Sequence, residues 1–167
     1  MGHSRSMLTI AQAQGAADML LARHLFEEYA RSLDVDLCFQ DFASELEDLP
    51  GQYAPPRGEL LLASWDHSPA GCVALRPLDG AACEMKRLYV RSQFRGHGIG
   101  RALIQQIIDV ARKAGYRHIR LDSLPSMKSA LTLYRQLGFQ EIPPYRNNPV
   151  AGTVYLELPL NGRSRDS

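Results

Sequence analysis

The run Arg95-Gly96-His97-Gly98-Ile99-Gly100 constrains this chain more than any other stretch, because it stands where a strand gives way to a helix. Just before it, Glu84-Met85-Lys86-Arg87-Leu88-Tyr89-Val90 reads as a strand. Just after it, apolar residues recur at Ile99, Ala102, Leu103, Ile107, Val110, Ala111 and Ala114, the spacing of an amphipathic helix. A glycine-rich turn of this kind leaves backbone N–H groups unpaired at the positive end of a helix, which suits a phosphate or pyrophosphate. The glycines let the backbone come close to the anion and adopt positive φ. The turn is therefore expected to hold a phosphate-bearing cofactor.

Composition limits who else could bind. With 19 Lys and Arg against 18 Asp and Glu, the net charge of +1 gives no global pull toward nucleic acid or an anionic membrane. Any anion site must be local. The 167 residues, 45% hydrophobic and 22% charged, fit one soluble domain with a real core, expected over residues 7–160. Cys38, Cys72 and Cys83 have no metal-type spacing and no Cys/His pairing, so they read as reduced thiols of a cytoplasmic protein, and no metal is expected. No window approaches the roughly 18 apolar residues of a membrane span. Met1 to Ser6 lacks the apolar centre of a signal peptide and reads as a cloning remnant, with Met7 the natural start. The polar tail Asn161 to Ser167 is expected to fray.

Periodicity then orders the elements. Met7 to Gln12 reads as a strand, and Asp18 to Leu33 as a helix with Met19, Ala22, Phe26, Tyr29, Ala30 and Leu33 on one face. Phe39, Phe42, Leu46 and Leu49 fit a second short helix stopped by Pro50-Gly51, and Gln52 to Gly58, with Pro55-Pro56, reads as a loop. Glu59 to Trp65 and Ala70 to Arg76 form a predicted hairpin, and Asp79-Gly80 leads into Ala82 to Val90, giving an antiparallel meander. After the glycine-rich turn and its helix come a strand at Arg117 to Asp122 and a helix capped by Ser126 and running to Gln136. Strands at Phe139 to Ile142 and Thr153 to Leu158 complete the order β-α-α-β-β-β-α-β-α-β-β. A dinucleotide-binding fold is disfavoured, since its glycine fingerprint should open the first βα unit of an alternating parallel sheet.

Two motifs at a fixed separation carry a family resemblance. Arg95, Gly98 and Gly100 make an Arg-x-x-Gly-x-Gly turn after the strand ending Leu88-Tyr89-Val90. Some thirty residues on comes Ala130-Leu131-Thr132-Leu133-Tyr134-Arg135-Gln136-Leu137-Gly138-Phe139. The pair strongly resembles the GNAT superfamily of acetyl-CoA-dependent N-acetyltransferases, over about Glu59 to Leu160. Pro143 to Pro149 and the Glu84 to Val90 strand look like a bacterial subgroup of it. The resemblance implies an α+β fold: a mixed, mostly antiparallel sheet of about seven strands, splayed between the fourth and fifth and flanked by about four helices. It also implies an enzyme with acetyl-CoA as cosubstrate, often dimeric among relatives. The pyrophosphate would sit on Arg95, Gly96, His97, Gly98, Ile99, Gly100 and Arg101. The pantetheine arm would lie along Leu88, Tyr89 and Val90 like an added strand. A bulge in that strand would aim an amide at the thioester carbonyl.

Acetyl transfer to an amine needs a base for the incoming ammonium and an acid for the departing thiolate. By resemblance Glu84 corresponds to a general base and Tyr134 to the thiolate's proton donor, with direct transfer and no acyl-enzyme. Many relatives carry an asparagine seven residues before the tyrosine. Here it is Met127, leaving Ser123 or Ser126 to contact the pantetheine. Plainer readings stay open: Tyr134 as a core aromatic, Glu84 as a cross-strand partner of Lys86 or Arg117, His97 as an exposed bystander, Trp65 as packing. Family acceptor pockets map to Tyr29 to Gln40, Tyr53 to Arg57, Glu84 to Arg87 and Tyr145 to Val150. The cations Arg31, Arg57, Arg76, Lys86, Arg87 and Arg146 suggest a small amine that also bears a carboxylate or phosphate. The alternative is an acyl-CoA-binding regulatory module without catalysis.

Overall fold

The run Leu60-Leu61-Leu62-Ala63 has no polar alternation, a pattern that suits a strand covered on both faces. In the computed structural model, which describes residues 6–33 and 41–160, that run lies in β2 (Glu59–Trp65). Leu61 and Ala63 pack on one side of a central sheet, Leu60 and Leu62 on the other, and all four are buried. The remaining strands are β1 (Leu8–Gln12), β3 (Ser68–Asp79), β4 (Ala82–Val90), β5 (His118–Ser123), β6 (Gln140–Ile142) and β7 (Val154–Pro159). They form a seven-stranded sheet in the order β1-β2-β3-β4-β5-β7-β6, antiparallel throughout except for the parallel β4–β5 pair. Helices α1 (Gly15–Ser32), α2 (Phe42–Glu47), α3 (Ile99–Lys113) and α4 (Lys128–Gln136) complete the mixed α+β architecture expected from the sequence.

Each face has its own apolar layer. Helix α3 buries Ile99, Leu103, Ile104, Ile107, Ile108 and Ala111 against Val73, Leu75, Cys83, Met85, Ile119 and Leu121 of the sheet. Helix α1 buries Ala22, Leu25 and Phe26 against Leu60, Leu62, Cys72 and Ala74 on the opposite side. No helix of the described residues is long and apolar enough to cross a membrane. Cys72 and Cys83 are free and buried, while Cys38 lies outside the described residues.

Several boundaries differ from the sequence expectation for local reasons. Helix α1 starts at Gly15 rather than Asp18, and the Asp18 carboxylate accepts a bond from the Gln14 amide at 2.9 Å. Ser126 does not cap α4; Met127 occupies the N-cap, and the Lys128 amide donates to the Ser126 backbone carbonyl. The stretch read as loop after Pro50 opens with a 3-10 turn at Gly51–Tyr53, closed by the Tyr53 amide on the Pro50 carbonyl, which buries the Tyr53 ring. Phe39, expected on the second helix, lies outside the described residues.

Two irregularities of β4 create the site. Cys72 pairs with Tyr89 and Ala74 with Lys86, so two steps along β3 match three along β4, the signature of a bulge. Arg87 there has φ of 63°, an uncommon conformation for a residue with a side chain. Its guanidinium is held by both oxygens of Glu45 on α2, at 2.9 and 2.7 Å. On its other edge β4 pairs with β5 only from Ala82–His118 to Glu84–Arg120, while β5 stays with β7 as far as Ser123–Val154. Beyond Glu84 the two parallel strands therefore part, leaving the edge of β4 without a strand partner.

The α3 layer is the test of this packing. Ile107 is fully buried among residues of the sheet. Ile107→Ala is expected to lower unfolding free energy by about 2–5 kcal/mol, read from denaturant melts, without moving the secondary-structure spectrum.

Candidate active site where two strands part

The glycine-rich turn places α3 with its positive end at the mouth of the parted strands. Gly98 is the N-cap at φ 78°, and Gly96 sits at φ 87°. A Cβ on either would meet open space, so the conformation rather than crowding calls for glycine. Ala102 makes the first helical bond, to the Gly98 carbonyl. Among the described residues the amides from Gly96 to Arg101 find no backbone acceptor and no side-chain cap. This is a row of donors shaped for an anion.

A groove of about 780 Å³ runs past this row, lined by Leu88, Tyr89 and Val90 of β4 and by Ser126 to Ala130 at the start of α4. Arg95, Gly96, Gly98, Ile99, Gly100 and Arg101 line it as well. Arg95 donates through Nε to the Val90 carbonyl at 3.2 Å, and Arg101 donates to Gln136 on α4 at 2.7 Å. His97 is not among the lining residues. Its ring stacks on Trp65 at the end of β2, with centroids 4.4 Å apart. Thus Trp65 packs, as read, but its partner is the histidine that the sequence reading set against the cofactor.

Deeper in the cleft lies a second cavity of about 50 Å³, sharing Tyr29, Leu33, Leu88 and Met127 with the groove. Its walls include Lys86, Asp122, Ser123, Asn148 and Tyr134. Tyr134 is 5% exposed and packs its ring on Phe139, so it does belong to the core stripe. Yet its hydroxyl makes no hydrogen bond to any described residue, an uncommon state for a buried polar group. Burial, with Tyr29 and Asp122 adding to it, holds the phenol well above its ordinary range, so it stays protonated. Tyr29, the first residue of the expected acceptor segment, does line both cavities, whereas Asp122 has no place in the sequence expectation beyond the end of a strand.

Glu84 is elsewhere. It lines neither cavity and is fully buried at the last rung of the β4–β5 pair. Arg76 donates to Oε1 through Nε at 3.0 Å and Nη2 at 2.9 Å, while Arg146 reaches Oε2 at 2.7 Å and the Tyr145 hydroxyl donates to Oε2 at 2.6 Å. Burial alone would raise its pKa. The charge of Lys86 and the bonds from Arg146 and Tyr145 outweigh it and hold the carboxyl at about 2. Arg146 extends to Asp122 on β5 at 3.4 Å, and so spans the two strands where they separate.

Of the six cations considered for an acceptor, Arg76, Arg87 and Arg146 already face carboxylates, and Arg57 lies over the Tyr116 ring. Arg31 is exposed and lines neither cavity. Lys86 and Arg87 line the inner cavity. Burial pushes the Lys86 ammonium down to about 8, against the opposing pull of Glu84. Residues 34–40 of the expected acceptor segment lie outside the described ones. Among the described residues no cluster of His, Cys, Asp and Glu could hold a metal ion.

Comparison with known proteins agrees with this architecture. Residues 15–139 match the acetyltransferase (GNAT) family. An uncharacterized N-acetyltransferase of Schizosaccharomyces pombe is 37% identical over 158 residues, covering 93% of this chain and 97% of its own. An IAA acetyltransferase of Azospirillum brasilense is 32% identical, covering 92% and 98%. These relatives span fungi and bacteria, so the similarity is not confined to a bacterial subgroup. A Staphylococcus aureus acetyltransferase of the GNAT family superposes with a TM-score of 0.77 at 20% identity, covering 93% of this chain and all of that one. Salmonella typhimurium yncA, solved with its cofactor acetyl-CoA, superposes at 0.67 and 18% identity, covering 95% and 96%. The chain belongs to the GNAT acetyltransferase family and is an acetyl-CoA-dependent acyltransferase.

The buried carboxylate sets an acid limit on stability. A pKa held below the unfolded value contributes stability that is full above about pH 4.5 and is lost as pH falls toward 2. Glu84→Gln, which leaves Arg76 without its counter-charge and Arg146 with Asp122 alone, is expected to cost about 3–5 kcal/mol at neutral pH. Thermal melts from pH 7 to 2 should show the variant's deficit shrinking in the acid.

Proposed function

We propose that the chain moves an acetyl group from acetyl-CoA directly to the primary amine of a small acceptor that also carries a carboxylate or phosphate. The observation that carries this reading is the Tyr134 hydroxyl, buried and without a hydrogen-bond partner among the described residues, in a cavity that adjoins the anion-binding groove. A core tyrosine with only a packing role would be expected to satisfy its hydroxyl. One held protonated beside an open cleft has its proton available for a departing thiolate.

The other parts follow from the same geometry. The amides from Gly96 to Arg101, with the charges of Arg95 and Arg101, would hold the pyrophosphate at the helix terminus. Leu88, Tyr89 and Val90, on the strand edge that has lost its partner, would bond the pantetheine amides as an added strand does. Ser126 and Met127 would flank the arm from α4. The bulge at Arg87 turns a β4 amide out of the ladder, where it can meet the oxyanion of the tetrahedral intermediate.

Lys86 on the cavity wall and Arg146 beside Asp122 put cationic side chains where an anionic group of the acceptor would be met. Glu84, with both oxygens engaged, serves here as the anchor of Arg146 rather than as a free base.

The test is release of free CoA from acetyl-CoA across amino acids, polyamines, aminoglycosides and lysine peptides, with Tyr134→Phe in parallel. Turnover is expected with an amine bearing a carboxylate or phosphate and not with its uncharged analogue. Tyr134→Phe should lower kcat by about 10²–10⁴ while acetyl-CoA still raises the melting temperature. Equal rates with the analogue would remove the anionic group from the proposal, and an unimpaired Tyr134→Phe would remove the acid. Gly98→Ala, forced into a left-handed φ at a cost of about 1–2 kcal/mol, should weaken acetyl-CoA by about tenfold in a binding titration and leave kcat near native.

A further inference from the structure

Resting on the acetyltransferase reading above, we infer that Asp122, and not Glu84, is the carboxylate that receives the acceptor's ammonium and takes its first proton. The two carboxylates sit on neighbouring strands, bridged by one guanidinium, yet they are differently engaged. Glu84 has both oxygens filled and no face on either cavity. Asp122 lines the inner cavity, and its partners among the described residues, Arg146 and Asn148, both approach Oδ2 at 3.4 Å. Among the described residues nothing donates to Oδ1. A carboxylate accepts at about four lone-pair sites, so a side chain 11% exposed and engaged through one oxygen retains capacity for a donor.

A second observation points to the same cavity. The Tyr134 hydroxyl lines it without a partner among the described residues, so an unfilled acceptor and an unfilled donor share a space of about 50 Å³. The charge of Asp122 reaches groups on every element around it. It raises Tyr29 of α1, Tyr134 of α4, Tyr145 of the loop before β7 and Tyr155 of β7, and it opposes the loss of charge on Lys86 of β4. Arg146 offsets part of that charge from one side only. Asp122 thus brings negative charge to the cavity wall it shares with Tyr29, Lys86 and Tyr134, where a cationic nitrogen would settle.

The proton and electron flow then balances. The ammonium passes one proton to Asp122 Oδ1, directly or through water, and the freed lone pair attacks the thioester carbonyl carbon. The C–N bond forms as the carbonyl becomes an oxyanion. Collapse restores the carbonyl and breaks the C–S bond, and the thiolate takes the Tyr134 proton. Tyr134 recovers a proton from the nitrogen as the amide forms, and Asp122 returns its own to solvent. The nitrogen loses two protons in all, one to sulfur and one to water. Glu84 acts through Arg146, as a positioning residue.

The experiment compares native protein, Asp122→Asn, Asp122→Glu and Glu84→Gln, using the fastest amine of the panel above as probe. Heat stabilisation by acetyl-CoA serves as the control for an intact cleft. For Asp122→Asn we expect kcat/KM to fall by at least a hundredfold at pH 7 with that stabilisation unchanged. The deficit should narrow as pH rises toward the amine's own pKa of about 10, where the acceptor arrives neutral and needs no base. A purely structural role would give a deficit that pH does not move. Asp122→Glu should recover part of the rate. Glu84→Gln should lose thermal stability and show no such narrowing. Asp122→Asn within threefold of native, or a deficit constant with pH, overturns the inference. A native chain that turns over no amine instead overturns the reading on which it rests.

Discussion

The last rung shared by β4 and β5 joins Glu84 to Arg120, and beyond it the cleft opens. A fully buried carboxylate at such a place would be unaffordable alone, since desolvation disfavours its charge by several kcal/mol. It persists because Arg76 comes from β3, Arg146 and Tyr145 come from the loop ahead of β7, and every lone pair is met. One consequence is mechanical. Arg146 ties the two separating strands to each other through Glu84 and Asp122, so the width of the cleft is set by a guanidinium rather than by a backbone ladder. The Tyr145 ring adds an edge contact to Tyr155 on β7, and so the loop is held to the sheet by both charge and packing.

The bulge is a second fixed point with its own support. Arg87 in a left-handed conformation costs on the order of 1–3 kcal/mol, and persists only where surroundings over-determine it. The two-point grip of Glu45, the Phe42 ring beside the guanidinium, and the Cys72 thiol donating to the Arg87 carbonyl supply that. Helix α2 is short and has no fully buried residue; it packs Phe42 and Leu46 on the α1-side cluster and carries Glu45 to this spot. Helix α1 is tied to the same strand further on. Glu28, one residue before Tyr29 at the cleft, accepts from Nε and Nη2 of Arg91 at 3.0 and 2.7 Å and from the Tyr89 hydroxyl.

How much of this could be read beforehand depends on how local each feature is. The glycine-rich turn and α3 were legible because a few consecutive residues encode them: positive φ at Gly96 and Gly98, then apolar positions every three or four residues. The meander was legible from its turns. The partners of Glu84 were not, because Arg76, Tyr145 and Arg146 come from separate segments, and only the three-dimensional register brings them together. The six cations looked alike in sequence, yet three of them, Arg76, Arg87 and Arg146, face carboxylates that periodicity does not reveal. Asp122 went unseen for the same reason: one acidic residue on a half-buried strand carries no signal until the neighbouring strand turns away from it.

The stacking of Trp65 on His97 has a practical side. This is the only tryptophan in the chain, and it lies flat against a residue of the glycine-rich turn, 4.4 Å away. Its near-ultraviolet emission is therefore tied to a single place, with no second indole to dilute it. An imidazole against the indole face makes that light sensitive to small shifts of the turn. The molecule thus carries its own optical gauge on the glycine-rich turn, readable by fluorescence without a label or an acceptor.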